Sequence, residues 1–416
     1  MNEFTNITII GAGLAALRCA ERLRERGYHR PIIIFGDEPR GPYNRTPLSK
    51  QLLDGGAHTE HLRFQTATDL GDVTWRLGTC VTGLTREHRV ALADGTTQAV
   101  GGLVIATGVT PRTIPGAERF PDRVFVLRTL DDCRQLDAAL ATAKSIAIIG
   151  GGFIGCEVAT SAVKRCVPVT MIDVSDTLLS HAIGHQLGQI MTDIHREHGV
   201  DVRTGHGVAT LEHNTKRDTM TITLTNNDVI NADIVLVGIG TAPRVEGLAG
   251  LGLDLTDGVL CGPTCHVTGL PDVVAAGDVA RWPNLAFDDT PRRVEHWINA
   301  VEQARHAADA LLDGIDTAKS FTPIPRFWSE QHDTKIQSIG MPRLGTTVII
   351  TEGSVTKRQL VATYTNTTGR LVGAVAINAP RALIPYADRV TALPNRRTAD
   401  PNPAPCHAEK PTSEQT

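Results

Sequence analysis

Two stretches of the chain repeat one rhythm of apolar residues and glycines about 139 residues apart. In the first, Ile7-Thr8-Ile9-Ile10 is a β-branched run that breaks on Gly11-Ala12-Gly13, and Leu14 to Arg26 then carries apolar residues at helical spacing. In the second, Ile146-Ala147-Ile148-Ile149 meets Gly150-Gly151-Gly152 and a helical pattern follows from Ile154 to Arg165. Each helix leads into another apolar run, Pro31 to Phe35 and Val167 to Ile172. Such runs of four to six apolar residues read as buried strands. Strand, glycine turn, helix and strand, stated twice, predict an α/β fold with two Rossmann-like nucleotide-binding units.

The remaining pattern fills in around these units. Arg63 to Gly95 alternates short strand-like runs with turns, and Leu103 to Gly108 reads as a buried strand ending on a glycine. Ile234 to Gly240 matches it in the second unit, and Asp272 to Asp278 is a further buried strand with an acid at its end. A long amphipathic helix is expected from about Glu295 to Leu312. From Ser320 onward the period switches to alternating strands at Lys335–Ile339, Thr346–Thr351, Gln359–Thr363 and Leu371–Ile377. The stretch 393–416 holds five prolines and no aromatic residue, the composition of a disordered tail.

Composition narrows the function classes. A chain of 416 residues is long enough for two to three domains. Its 41 Lys+Arg against 45 Asp+Glu leave a net charge of −4, no footprint for nucleic acid or an anionic membrane. The apolar runs are strand-sized and Met1-Asn2-Glu3 lacks a basic region, so neither a membrane span nor a secretory leader is expected. With only eight Cys and no C-x-x-C pair, the chain reads as cytoplasmic.

The glycine turns carry the candidate chemistry. In Gly11-x-Gly13-x-x-Ala16 the first glycine permits the tight turn and the second lets the backbone reach a pyrophosphate. The small third residue keeps helix and strand close, and the helix N-terminus favours the anion. Asp37, with Glu38 beside it, stands where an acid would bind the ribose hydroxyls. Gly150-x-Gly152-x-x-Gly155 is the fuller fingerprint, and Asp173 closes its second strand. A carboxylate there accepts from a free 2′-hydroxyl and repels a 2′-phosphate, and no Lys or Arg lies between Val174 and His185. NADH is therefore expected over NADPH. The bland alternative for each turn is an ordinary glycine bend of an α/β protein.

Two dinucleotides on one chain, a flavin and a nicotinamide, would pass a hydride between them. No Cys falls between Phe35 and Arg63, where a disulfide-reducing flavoprotein needs one, so electrons should leave the flavin for an external acceptor. Cys19 and Cys156 read as small core residues, and Cys261 and Cys265 with His266 lack a fourth ligand for a metal.

Further segments carry a family resemblance. Pro42-Tyr43-Asn44-Arg45-Thr46-Pro47-Leu48-Ser49-Lys50, Ala106-Thr107-Gly108-x-x-Pro111-Arg112, Gly238-Ile239-Gly240-x-x-Pro243, Ala275-Ala276-Gly277-Asp278, Glu295-His296-Trp297-x-Asn299-Ala300 and Phe327-Trp328-Ser329-Glu330-Gln331 are spread through the chain. From about Ile7 to Val390 the sequence resembles the FAD-dependent, NADH-linked ferredoxin reductases of bacterial oxygenases and cytochromes P450.

The resemblance implies a glutathione-reductase-like flavoprotein fold: a FAD domain at 1–109 and 245–319, a NAD domain at 110–244 and a C-terminal α+β domain at 320–392. It implies that FAD is held by Gly11, Gly13, Ala15, Ala16, Asp37, Arg45, Lys50, Val81, Ala106, Gly108, Arg128, Gly277, Asp278 and Trp297. Trp297 and Trp328 would flank the ring system. NAD would lie on Gly150, Gly152, Phe153, Ile154, Gly155, Asp173 and Gly240. Lys50 and Glu157 would face one another across the nicotinamide pocket as the catalytic pair, with no metal. The acceptor would be a [2Fe–2S] ferredoxin serving an oxygenase or P450, and the protein a monomer or weak homodimer. Arg305, Arg326, Lys335 and Arg343 are candidates for docking an acidic partner. Thr46 and Asn44 depart from the family's Pro and Asp, Arg244 from an Asn, and Ala379 from a basic residue. Another acceptor, such as rubredoxin, a quinone or a specialised-metabolism substrate, and a flavin-binding interaction protein like apoptosis-inducing factor are the rival readings.

Overall fold

The apolar runs that flank the glycine turns form the centres of two parallel sheets. The computed structural model describes residues 4–55, 58–66, 68–85 and 89–391; the tail expected at 393–416 lies outside them. The first sheet runs Val273–Ala275, Gly102–Ile105, Ile7–Ile10, Ile32–Phe35 and Thr74–Arg76. The second runs Asp201–Thr204, Val169–Asp173, Ile146–Ile149, Ile234–Val237 and Val124–Phe125. Ile7 pairs with Ile32 on one side and Gly102 on the other, and Ile146 likewise pairs with Val169 and Ile234. Both central strands are buried along their whole length, which is why they read as unbroken apolar runs rather than as alternation.

Helices α1 (Leu14–Glu25), α2 (Leu130–Leu140), α3 (Phe153–Lys164), α4 (Ser180–Glu197), α5 (Trp297–Asp313) and α6 (Ile384–Thr391) dress these sheets. α1 packs on α5, the amphipathic helix expected at 295–312. Ala20 and Leu23 meet a face of Ala304, Ala307, Ala308 and Leu311, all buried. A buried Leu contributes about 1.5–3 kcal/mol, whereas the Arg22–Asp309 and Arg26–Asp309 pairs at the helix rim, each 2.7 Å long and partly exposed, contribute at most about 1 kcal/mol apiece. The apolar face holds the two helices together.

The first sheet takes strands from both ends of this region, so the second sheet is inserted between them in sequence. The chain crosses over at a two-stranded ribbon of Val109–Pro111 and Thr241–Pro243. Beyond α5, an antiparallel five-stranded sheet runs Arg326–Gln331, Thr334–Gly340, Leu371–Ile377, Gln359–Thr365 and Thr347–Ser354. It includes all four strands expected from the alternation after Ser320. Strand Arg326–Gln331 and the helices α2 and α4 add to what the pattern announced.

One core joins three segments distant in sequence. Leu48 and Leu53 of the loop after Tyr43, Ile148 and Met171 of the second sheet, and Tyr364 and Val375 of the antiparallel sheet bury against one another. α4 bends at Gly184 (φ 76°), and the Tyr364 hydroxyl donates at 2.6 Å to the neighbouring Ile183 carbonyl. A carbonyl at a helix break needs such a partner. This shared core fixes the Ser49–Lys50 loop against α3.

Candidate active site

Both glycine turns have the geometry that dinucleotide phosphates require. Gly11 has φ +104°, and a Cβ there would stand 2.1 Å from the Ala106 carbonyl oxygen. Gly150 has φ +111°, and its Cβ would stand 2.3 Å from the Gly238 oxygen. Gly13 and Gly152, the N-cap residues of α1 and α3, are different: a Cβ on either would meet nothing within 4 Å. Neither helix has a side-chain cap or an acid in its first turn, so backbone N–H groups at each N-terminus point out of the turn. A phosphate fits this arrangement, and a side chain would fill its place. Ala15 and Ala16 are buried under the first turn, and Gly155 is pinned by the Gly150 oxygen, 2.1 Å from where its Cβ would be.

Around the first turn the expected FAD residues converge with partners of their own. Asp278 closes the strand beside Ala106, and its carboxylate takes an Arg128 N–H at 3.0 Å. Gly277 (φ +79°) donates its N–H to Gln303 Oε1 at 3.0 Å, and a Cβ there would stand 3.2 Å from the Ala15 methyl. A Cβ on Gly108 (φ +69°) would stand 3.4 Å from the Arg128 guanidinium. Arg45 stacks over Tyr43, pairs with Glu38 and donates to the Arg128 carbonyl at 2.9 Å. Val81 is half-buried against the first core. Asp37 is exposed, and Arg244, the residue that departs from the family's Asn, donates to it at 2.6 Å. Burial alone would raise the Asp37 carboxyl, but the Arg244 hydrogen bond and charge and two backbone N–H groups outweigh it and hold it below its ordinary value.

At the start of α5, Trp297 meets Trp328 edge-on, ring centres 6.2 Å apart at 69°. The Trp297 Nε1, the His296 Nδ1 and the Asn299 Oδ1 are buried with no protein partner. Burial pushes the His296 imidazole down to about 4. Three unsatisfied polar atoms in one turn suit a ligand with complementary donors and acceptors, such as a flavin ring.

The two expected catalytic residues are in contact. Lys50 Nζ lies 2.6 Å from Glu157 Oε2, and it also donates to the Thr46 carbonyl at 3.2 Å. Glu157 is 4% exposed on α3, directly after the second glycine turn. Two further donors reach it: Ser49 Oγ donates to Oε2 at 2.5 Å and Ser329 Oγ to Oε1 at 2.6 Å. The pair is thus built from a loop, a helix and a strand of the antiparallel sheet.

A cavity of about 950 Å³ joins the pair's surroundings to the second turn. Ser49, Gly150, Gly152, Asp173, Gly240 and His296 are among its lining residues, as are Phe153 and Ile154. Phe153 packs on Phe327 with ring centres 4.9 Å apart, and Ile154 is 40% exposed into this space. Asp173 accepts from the Gly151 N–H at 2.5 Å and from the Ser175 N–H at 2.7 Å, so it braces the turn as well as facing the cavity. Each carboxylate oxygen keeps a second lone-pair site for a ribose hydroxyl.

Sequence reasoning passed over several contributors. Ser49 and Ser329 lie inside segments that were singled out, but nothing in a lone serine marks it as a carboxylate ligand. Gly151 was read as spacing, yet its Cβ would strike Leu178 at 2.5 Å. Of the basic docking candidates, Arg305 is held by Glu25 at 2.7 Å, Lys335 by Glu330 at 3.0 Å and Arg326 faces Glu302 at 3.8 Å. Arg343 instead lines the cavity. Burial pushes the thiols of Cys19, Cys156, Cys261 and Cys265 up, which suits inert core residues. Among the described residues, no helix is long and apolar enough to cross a membrane.

Residues 5–304 match the model of the pyridine nucleotide-disulphide oxidoreductases, and residues 326–402 match a reductase C-terminal model. The chain is similar to rhodocoxin reductase of Rhodococcus erythropolis, at 34% identity over 90% of this chain and 87% of that one. It is 36% identical to the anthranilate 1,2-dioxygenase system ferredoxin–NAD(+) reductase component of Burkholderia cepacia, over 90% of this chain and 91% of that one. The crystal structure of the covalent putidaredoxin reductase–putidaredoxin complex matches with a TM-score of 0.86 at 30% identity, covering 94% of each chain.

Proposed function

Because the chain belongs to the pyridine nucleotide-disulphide oxidoreductase family and carries that family's reductase C-terminal domain, we propose that it is a FAD-dependent NADH:ferredoxin reductase. The relatives named as ferredoxin–NAD(+) reductase components support the reaction class, and the putidaredoxin reductase–putidaredoxin complex supports a protein partner of the ferredoxin kind. The observation that carries the reading is the Lys50–Glu157 pair at 2.6 Å, which follows the second glycine turn and is hydrogen-bonded to Ser49, a residue that lines the 950 Å³ cavity.

FAD, when bound, supplies a ring that takes a hydride as an electron pair and gives electrons up singly. The chain's own residues do the rest. Gly11 and Gly13 with the α1 N-terminus would hold the FAD pyrophosphate, Asp37 the adenosine ribose, and Arg45, Ala106, Gly108, Arg128, Gly277 and Asp278 the middle of the molecule. Val81 and Trp297 would bound it on either side. Gly150, Gly152, Gly155 and Gly240 would hold NADH, with Asp173 on its 2′-hydroxyl. The Lys50 ammonium would supply positive charge to offset the negative charge that develops on the ring. Glu157 orients that ammonium, and Ser49 and Ser329 orient Glu157. Phe153 and Phe327 exclude water from the same end of the cavity.

The domain division at 1–109 with 245–319, 110–244 and 320–392 is the one that gives each dinucleotide its own parallel sheet and leaves the antiparallel sheet over the reactive end. The partner would be a [2Fe–2S] ferredoxin feeding an oxygenase or P450, and the reductase a monomer or weak homodimer working in the cytoplasm.

The test is rapid mixing of the yellow holoprotein with NADH and then with a [2Fe–2S] ferredoxin. Fast bleaching followed by fast ferredoxin reduction is the expected result. Bleaching with a ferredoxin that stays oxidised would move the acceptor to rubredoxin, a quinone or another small molecule. No bleaching would overturn the reductase reading in favour of a flavin-binding interaction protein.

A further inference from the structure

Behind Glu157, away from the cavity, a line of hydrogen bonds runs to the edge of the molecule. Ser329 Oγ lies 2.6 Å from Glu157 Oε1, and Gln331 Nε2 lies 3.1 Å from Ser329 Oγ. Gln331 Oε1 is 3.1 Å from His195 Nε2, and His195 Nδ1 is 3.1 Å from His332 Nε2. Ser329, Gln331 and His195 are buried completely. His332 stacks on His198 with ring centres 4.0 Å apart and an interplanar angle of 14°.

Donor and acceptor chemistry allows one direction along this line. A carboxylate paired with Lys50 only accepts, so Ser329 must donate to it. That spends the single hydroxyl proton, and Gln331 must present its amide N–H to Ser329. The Gln331 oxygen then faces His195, whose Nε2 must carry the proton. A neutral His195 consequently has a bare Nδ1, which accepts from His332 Nε2–H. Burial pushes His195 down to about 4 and His332 to about 3, which keeps both rings neutral and the order intact.

The backbone is shaped to seat the outer end. His332 sits with Asp333 in the two-residue turn between Arg326–Gln331 and Thr334–Gly340, at φ +52°, a conformation uncommon outside glycine. Its N–H donates to Thr160 Oγ1 at 3.2 Å, tying the turn to the helix that carries Glu157. The line therefore couples α3, α4 and the antiparallel sheet at one carboxylate.

We propose that Ser329, Gln331, His195 and His332 are positioning residues that act through Glu157, a one-directional hydrogen-bond chain that holds its carboxylate in the orientation that presents Lys50 to the reacting rings. The proposal rests on the NADH reductase reading, and its test separates the two. In holoprotein with ¹⁵N-labelled histidine, long-range proton–nitrogen NMR at neutral pH should show His195 and His332 as Nε2–H tautomers. In Glu157→Gln the terminal acceptor becomes an amide that can donate, Ser329 can turn round, and His195 should move toward the Nδ1–H tautomer. Rapid mixing with NADH should show Ser329→Ala and Gln331→Met reducing FAD about tenfold to a hundredfold more slowly with the NADH Kd unchanged, the size of a small misplacement at a reacting centre. Ser329→Thr, which keeps the hydroxyl, should restore the rate. An Nδ1–H His195 in the unaltered protein would overturn the chain even if a variant fails to fold. Unchanged rates in both variants would overturn it too. A parent protein that NADH does not reduce would sink the reductase reading and leave the tautomer result standing.

Discussion

The Lys50 ammonium rests 2.6 Å from the Glu157 carboxylate, and the two reach each other from a loop and a helix that share one apolar core. Lys50 is 16% exposed and Glu157 4%, so removing one partner strands a desolvated charge. Lys50→Met should cost about 3 kcal/mol of stability, at the lower end for breaking a buried pair. Lys50→Met with Glu157→Gln should recover most of that stability. It should not recover the rate of FAD reduction by NADH. Thermal melting and rapid mixing on the two variants check this, and a double variant that regains full rate would remove the pair from the mechanism.

Asp173 faces the second cradle with a lone-pair site to spare on each oxygen. Asp173→Ala should raise the NADH Kd and narrow the preference over NADPH by about tenfold, the worth of one charge-assisted hydrogen bond. Steady-state kinetics with both nucleotides reads the ratio. An unchanged ratio would place the ribose elsewhere.

The inner strands of both parallel sheets and the glycine turns were legible because a strand buried on both faces has to be apolar along its length, as Ile7–Ile10 and Ile146–Ile149 are, whereas the edge strands Asp201–Thr204 and Val124–Phe125 were not legible. The alternation after Ser320 likewise announced four of the five antiparallel strands. Strand Arg326–Gln331 was missed because its burial is irregular: Ser329 and Gln331 point inward for hydrogen bonding, not for packing. Lys50 and Glu157 could be paired only through a family resemblance, since contact between a loop and a helix this far apart leaves no period in the sequence. Ser49, His195 and His332 left none either. Their role exists only once three elements meet.

Arg244 is the departure with a visible consequence, since its guanidinium holds Asp37 at 2.6 Å where the FAD ribose is expected. The pair is about two-fifths exposed on each side, so it contributes at most about 1 kcal/mol. Arg244→Asn should free the carboxylate and tighten FAD by up to about fivefold. Asp37→Ala should weaken it. Titration of the apoprotein with FAD gives both constants, and a looser complex for Arg244→Asn would mean that the guanidinium itself helps to hold FAD.

Acid should loosen the fold before the carboxylates titrate. Burial pushes His195 and His296 down to about 4 and His332 to about 3, against an ordinary value of 6.5. The folded protein keeps these rings neutral while the unfolded chain protonates them, so the unfolded state binds more protons below pH 6.5. Their contribution is complete above that pH and is lost as the pH falls from 6.5 toward 4. Melting temperatures at pH 7.5, 6 and 4.5 should decline across that window, and His195→Gln should flatten part of the slope. A flat profile would mean that these rings are not buried neutral.

The glycines of the two turns divide into two kinds, and that division gives the sharpest separation of the two sites. Gly11 and Gly150 serve the fold, because a Cβ on either would lie 2.1 and 2.3 Å from a backbone oxygen and both have positive φ. Gly13 and Gly152 do not, because a Cβ on either meets only open space. A branched side chain there would occupy the approach to the helix N-terminus without straining the chain. Gly152→Val should therefore melt close to the parent, stay yellow and remain reducible by dithionite. Its NADH Kd should rise about a hundredfold or more, since the phosphate loses its backbone N–H contacts. Gly13→Val should fold as colourless apoprotein. Gly150→Ala should lose stability first, by about 1–3 kcal/mol for the φ alone. Absorbance of the purified proteins, thermal melts and an NADH titration are sufficient. A Gly152→Val protein that binds NADH normally would move the nicotinamide site off the second turn.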